Sequence, residues 1–136
     1  MVSFLTTRVK APDEDDWGKL KRVLRYLRGT LYLKLRLLVD NLTSSIWQID
    51  AAHGVHWDCK GQTGAAMTLG KGAVISNSWR QKCNTRSSTE SELVGVDDAI
   101  PTVLWSLYFI QAQGYKITHA TICQDNKSVI LLKKNG

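Results

Sequence analysis

Arg86-Ser87-Ser88-Thr89-Glu90-Ser91-Glu92-Leu93 marks the point where a strand-rich stretch of the chain gives way to a helix. Ser87 and Glu90 stand three apart, as do Thr89 and Glu92. At that spacing a hydroxyl and a carboxylate cap the unpaired N–H groups of a helix's first turn. Leu93, Val96, Ile100, Leu104 and Leu107 then recur at helical spacing toward Gly114. Pro101 lies inside this stripe, and its missing N–H predicts a kink or a break into two helices.

Upstream, residues 63–69 and 73–79 flank Gly70-Lys71-Gly72, two apolar runs around a glycine-rich tight turn. That arrangement predicts a β-hairpin. Residues 80–86 are polar and basic. A further strand is expected over 45–50, and residues 51–61, with no clean period, read as loop. Downstream, 118–124 is a short strand, and Asn126 is placed to cap a final helix through Leu132.

Pro12 followed by Asp13, Glu14, Asp15 and Asp16 predicts a helix start, since acidic groups complement the positive end of the helix dipole. Trp17, Leu20, Val23, Leu24 and Leu27 form its apolar stripe, and Gly29 is positioned to end it in a left-handed cap. From 31 to 39, Leu31, Leu33, Leu35 and Leu37 alternate with Tyr32, Lys34 and Arg36, which is strand periodicity. Residues 40–44 make a polar connection and a domain boundary. The order is helix, strand, then strand–hairpin–helix–strand–helix. It predicts an α/β fold with a mixed sheet and helices packed on it.

The 136 residues suit one domain with a short appendage, and 43% hydrophobic content supplies a core. Lys and Arg number 18 against 12 Asp and Glu, a net +6 that favours polyanionic partners; a merely basic, solvated surface is the plain alternative. Cys59, Cys83 and Cys123 are odd in number and widely spaced, which fits a reducing, intracellular setting, cytoplasmic or nuclear. Uninterrupted apolar runs are too short to span a bilayer, and the first residues lack the layout of a secretion signal, so no membrane partner is expected.

Three acids stand out by position. Asp50 ends a strand containing Ile46, Trp47 and Ile49; Glu92 lies in the first turns of the long helix; Asp125 follows Ile122-Cys123-Gln124. Like charges brought together oppose one another's ionisation, and a divalent cation with oxygen ligands offsets that repulsion. Two such ions ~3.5–4 Å apart stabilise the attacking and leaving oxygens of a phosphodiester. Spacing alone leaves two readings open, a shared cation site or three unrelated surface acids.

Longer strings carry a resemblance. Trp17-Gly18-Lys19-Leu20-Lys21-Arg22-Val23-Leu24-Arg25-Tyr26-Leu27-Arg28-Gly29-Thr30 resembles the segment connecting reverse transcriptase to ribonuclease H in copia-type LTR retrotransposon polyproteins. Thr63-Gly64 followed by the string from Arg86 to Leu93 resembles that family's ribonuclease H signature. Gln124-Asp125-Asn126-Lys127-Ser128-Val129 is similar to its next block.

The resemblance implies a ribonuclease H-like domain over 43–136, with a mixed five-stranded sheet and flanking helices. It is preceded over 1–42 by an N-terminal helix and strand from the end of a reverse transcriptase. It further implies hydrolysis of RNA in RNA–DNA hybrids, with Asp50, Glu92 and Asp125 as catalytic residues and ligands of two Mg2+ ions, Mn2+ being a substitute. The remainder of the polyprotein is an implied partner. Ser88 and Thr89 match positions that touch the hybrid, where a hydroxyl can contact a ribose 2′-OH; a helix-cap role is the alternative for either. The family's fourth acid follows a later basic block that this chain does not reach, so the domain is expected to be C-terminally truncated and weak or inactive by itself. An inactive retroelement remnant and a non-catalytic nucleic-acid-binding module are the alternatives.

Other groups carry less. His53, His56 and Cys59 share a loop but lack a fourth ligand for zinc at a supporting spacing. No GxSxG or phosphate-binding glycine loop occurs. Trp47, Trp79 and Trp105 are expected in the core, and Trp57 in a loop is either buried or free to stack on a nucleotide. The basic face of the first helix is suited to phosphates or simply to water.

Overall fold

The structure is a computed structural model and describes residues 1–40 and 42–135. Asn41, inside the expected polar connection, and Gly136 lie outside the described residues, as do the side chains of Lys133 and Asn135. The elements in order are α1 (Val2–Thr6), α2 (Glu14–Gly29), β1 (Leu38–Val39), β2 (Ser44–Ala52), β3 (Lys60–Thr68), β4 (Gly70–Lys71), β5 (Ile75–Asn84), α3 (Ser88–Ala112), β6 (His119–Cys123) and α4 (Lys127–Asn135).

Two compact units divide the chain, Met1–Leu35 and Arg36–Gly136, the break falling before the residue-42 limit read from the sequence. In the first unit Asp13 caps α2. Its carboxylate accepts the Asp16 N–H at 2.8 Å, and Asp16 reciprocates to the Asp13 N–H at 3.1 Å. Buried Asp16 also pairs with Arg8 at 2.9 Å. The left-handed cap expected at Gly29 is absent: Gly29 is the last helical residue, and Thr30 caps with φ −120°. Its hydroxyl bonds the Tyr26 carbonyl at 2.7 Å, so a side chain meets the need that a left-handed turn would serve.

The strand expected over 31–39 shrinks to Leu38–Val39, which pairs with β4. Leu31, Leu33, Leu35 and Leu37 are 56–73% exposed. Alternation needs a neighbouring strand and a buried face to become a strand, and neither is present beside them among the described residues. The approach of this segment to the glycine turn demands Gly70 and Gly72. A Cβ on either would stand 2.4 Å from a carbonyl oxygen, of Leu38 and Arg36 respectively, and Gly72 has φ +76°.

The second unit is built on a mixed sheet of order β5-β3-β2-β6, with β2 antiparallel to β3, β3 antiparallel to β5, and β2 parallel to β6. Four strands pair in this sheet among the described residues, not the five that the resemblance implies. Along β2, Ser45, Trp47, Ile49 and Ala51 are buried while Ile46, Gln48, Asp50 and Ala52 are exposed. The hairpin of β3 and β5 forms, though β5 begins at Ile75 and continues through the basic stretch to Asn84. Residues 51–61 contribute to both flanking strands, leaving a shorter connection than expected.

α3 packs on the face carrying Trp47, Ile49, Ala65 and Met67. It presents Val96, Ala99 and Val103, together with buried Ser91, Gly95 and Ser106. Val96 belongs to the predicted stripe, but the rest of the buried face is one position off it: Leu93, Ile100 and Leu104 are 37–43% exposed. Close approach explains the choice, because a Cβ on Gly95 would already stand 3.1 Å from the Ala51 Cβ. Small side chains let the helix near the sheet, and the large ones are left outside. Trp105, expected in the core, is 59% exposed and stacks on Phe109 at 5.2 Å. Trp57 is exposed too, at 80%. Pro101 does not break α3, which runs as one helix of 25 residues. By length and composition alone α3 would be able to cross a bilayer; here one side of it covers the sheet.

Candidate metal centre

Asp50 lies near the end of β2 at an exposed position of its alternation, opposite Gly64 of β3. The glycine leaves the space beside Asp50 free of a neighbouring side chain. Glu92 sits in the first turns of α3, buried at 7% exposure. Its helix begins where Ser87 Oγ accepts the Glu90 N–H at 3.2 Å, and the Glu90 carboxylate accepts the Arg86 N–H at 2.7 Å. Of the two predicted capping pairs, this is the one used, and it leaves Glu92 free to point elsewhere. Asp125 stands between β6 and α4, in a turn closed by Asn126 Oδ1, which accepts the N–H groups of Ser128 and Val129 at 3.0 and 3.3 Å.

The fold brings the three acids together. One carboxylate oxygen from each of Asp50, Glu92 and Asp125 lies within 4.8 Å of the other two. The parallel pairing of β2 with β6 sets Gln48 beside Cys123, so the C-terminal ends of both strands reach the same edge. An open groove of ≈ 340 Å³ lies there, lined by Gln48, Ile49, Asp50, Cys123, Gln124 and Asp125.

Burial pushes the Glu92 carboxyl above its ordinary value. Hydrogen bonds from the Gln124 side chain and the Ala51 N–H work against that shift. The nearby Asp50 reinforces it, by charge and by a side-chain hydrogen bond to the carboxyl. Three hard oxygen donors, one of them disfavoured as a free anion, fit a divalent cation such as Mg2+ or Mn2+.

Gln124 is a residue that the sequence reading passed over. Its Nε2 donates to Glu92 Oε2 at 3.0 Å, and its Oε1 accepts the Asn126 N–H at 3.0 Å. Its place next to Asp125 was the available signal. Ser88 is exposed and Thr89 half-buried in the first turn of α3, and Ser87 rather than either of them is the cap. The zinc candidates turn to other partners: His53 Nδ1 is 2.9 Å from Thr85 Oγ1, and buried His56 bonds Gln62 at 2.8 Å through Nε2.

Comparison with known proteins yields relatives among retrovirus-related Pol polyproteins. The chain is 29% identical over 136 residues, 99% of its length, to the retrovirus-related Pol polyprotein from transposon TNT 1-94 of Nicotiana tabacum. It is 29% identical over 127 residues, 89% of its length, to the retrovirus-related Pol polyprotein from transposon RE2 of Arabidopsis thaliana. The chain spans 10% and 8% of the length of these two curated relatives. No family model matches it, and no solved structure matches it significantly. The resemblance to copia-type retrotransposon polyproteins thus holds over nearly the whole chain.

Proposed function

We propose that this relative of retrotransposon Pol polyproteins is a ribonuclease H-type segment, hydrolysing RNA in RNA–DNA hybrids with the help of divalent metal. The observation that carries the reading is the convergence of Asp50, Glu92 and Asp125, whose carboxylate oxygens lie within 4.8 Å of one another at the rim of an open groove. Asp50 and Asp125 are exposed and face solvent, as ligands of an exchangeable ion must. Glu92 is the buried third ligand, and a bound ion would favour the charged form that burial disfavours. Bound Mg2+ would supply Lewis acidity toward the scissile phosphate. Water adds to phosphorus and the bond to the 3′ oxygen breaks, leaving a 3′-hydroxyl and a 5′-phosphate. Ser88 and Thr89, in the turn of α3 that carries Glu92, are the hydroxyls offered to a ribose 2′-OH.

The test is Mg2+- or Mn2+-dependent cleavage of end-labelled RNA annealed to DNA. Cleavage lost in Asp50→Asn, with the same RNA intact when single-stranded, supports the reading. A net charge of +6 favours a second reading, a non-catalytic module held to nucleic acid by charge. Salt-sensitive hybrid binding with no cleavage in either metal would favour that one.

A further inference from the structure

Gln81 is 1% exposed and its carboxamide is fully engaged. Nε2 donates to Thr63 Oγ1 at 3.1 Å and to the Ser91 carbonyl at 2.8 Å, while Oε1 accepts the Ser91 hydroxyl at 3.1 Å. Thr63 and Ser91 are themselves 0% exposed. One side chain of β5 therefore bonds β3 and both the backbone and side chain of the residue preceding Glu92. The sheet is built to admit it. The β3–β5 register shifts between Lys60 and Gln62, an irregularity opposite Gly61 that falls beside Gln81. Such bulges re-aim side chains. Gly61 is the only kind of residue that fits, since a Cβ there would stand 2.3 Å from Gln81 Oε1 and 2.8 Å from Ser91 Oγ. A polar, satisfied anchor of this kind fixes direction as well as distance, which apolar packing of small residues farther along α3 does not.

We propose that Gln81 is a positioning residue for the acidic cluster, its buried carboxamide locking the first turns of α3 onto β3 so that Glu92 stands against Ala51 and Asp50. The catalytic consequence rests on the nuclease reading; the positional part stands on the geometry alone. A misplacement of about 1 Å in such a cluster is enough to cost on the order of 100-fold in rate.

Full-length Gln81→Met keeps the volume and removes the three hydrogen bonds. Val103→Ala, in the core near the other end of α3, serves as a control for stability. Three quantities are read: the amide resonance of Ala51, whose N–H bonds Glu92; Mn2+ affinity by water-proton relaxation; and hybrid cleavage. In Gln81→Met the Ala51 resonance moves, and Mn2+ affinity or cleavage falls about tenfold or more. Val103→Ala leaves all three at wild-type values. An Ala51 resonance unmoved in folded Gln81→Met overturns the inference. Should Gln81→Met fail to fold, Ser91→Ala removes only one of the bonds and is judged by the same resonance. If the wild type neither binds Mn2+ nor cleaves, the nuclease reading falls, and the Ala51 resonance alone decides the positioning role.

Discussion

Gln124 Nε2 lies 3.0 Å from Glu92 Oε2, tying the end of β6 to the first turns of α3 across 32 positions of sequence. The contact favours the charged form of a carboxyl that burial disfavours. It also holds the turn containing Asp125, because the same side chain accepts the Asn126 N–H.

Gln124→Leu removes that donor, so the Glu92 carboxyl rises further above its ordinary value. Ion binding requires the deprotonated form. The acid limb of Mn2+ affinity against pH is therefore expected to move to higher pH in the variant. An acid limb at the wild-type position would show that Gln124 does not act on Glu92.

For Glu92→Gln the sign follows from the direction of the shift. A carboxyl whose value is raised by folding lends its full stability below the ordinary glutamate value, and that stability is lost as pH rises through the folded value. At neutral pH without metal, Glu92→Gln is therefore expected to melt above the wild type, with the difference vanishing in acid. Added Mg2+ should raise the melting temperature of the wild type, through binding to the folded state alone, and leave the variant unmoved. Equal melting temperatures at pH 7 would contradict the burial argument.

Gly95→Val tests the close approach of α3 to the sheet. A mid-helix glycine ordinarily gains about 1 kcal/mol on becoming alanine, and less on becoming β-branched valine. Here the Cβ would meet Ala51 at 3.1 Å, and overpacking of about 1–3 kcal/mol is expected to win. Leu104→Ala, at a position 42% exposed, should cost well under the ~2–5 kcal/mol of a core leucine. Chemical denaturation of both variants checks the pair; the reverse order would restore the predicted leucine stripe as the buried face.

Pro101→Ala should stabilise α3. Proline in a helix interior costs about 3 kcal/mol relative to alanine, and alanine restores an N–H for the Asp97 carbonyl. Because α3 is continuous and Pro101 is exposed, a gain of roughly 1–3 kcal/mol is expected in thermal unfolding. A loss would mean that the proline's bend is used in packing.

Much of the fold was legible residue by residue. The alternation of residues 45–50, the glycines at 70 and 72, the Ser87–Glu90 cap and the Asn126 cap are local patterns, set by backbone sterics and by N–H groups that need partners within a few residues. Leu31, Leu33, Leu35 and Leu37 show where that reasoning ends, since among the described residues their alternation found no strand to pair with. α3 shows the same limit in another form. Its most hydrophobic stripe is not its buried one, because the distance between helix and sheet rewards Gly95 and Ala99 over Leu93 and Leu104.

For the candidate site, the sequence by itself determined which acids stand at the ends of elements, because caps and strand ends are written in neighbouring residues. Only the tertiary structure decided that Asp50, Glu92 and Asp125 meet, and that Gln124 and Gln81 hold Glu92 in place. Those relations depend on β6 joining β2 in parallel and on α3 lying close to the sheet. Both are pairings between distant segments, whose energies arise from surfaces and hydrogen bonds that do not exist until the chain has folded.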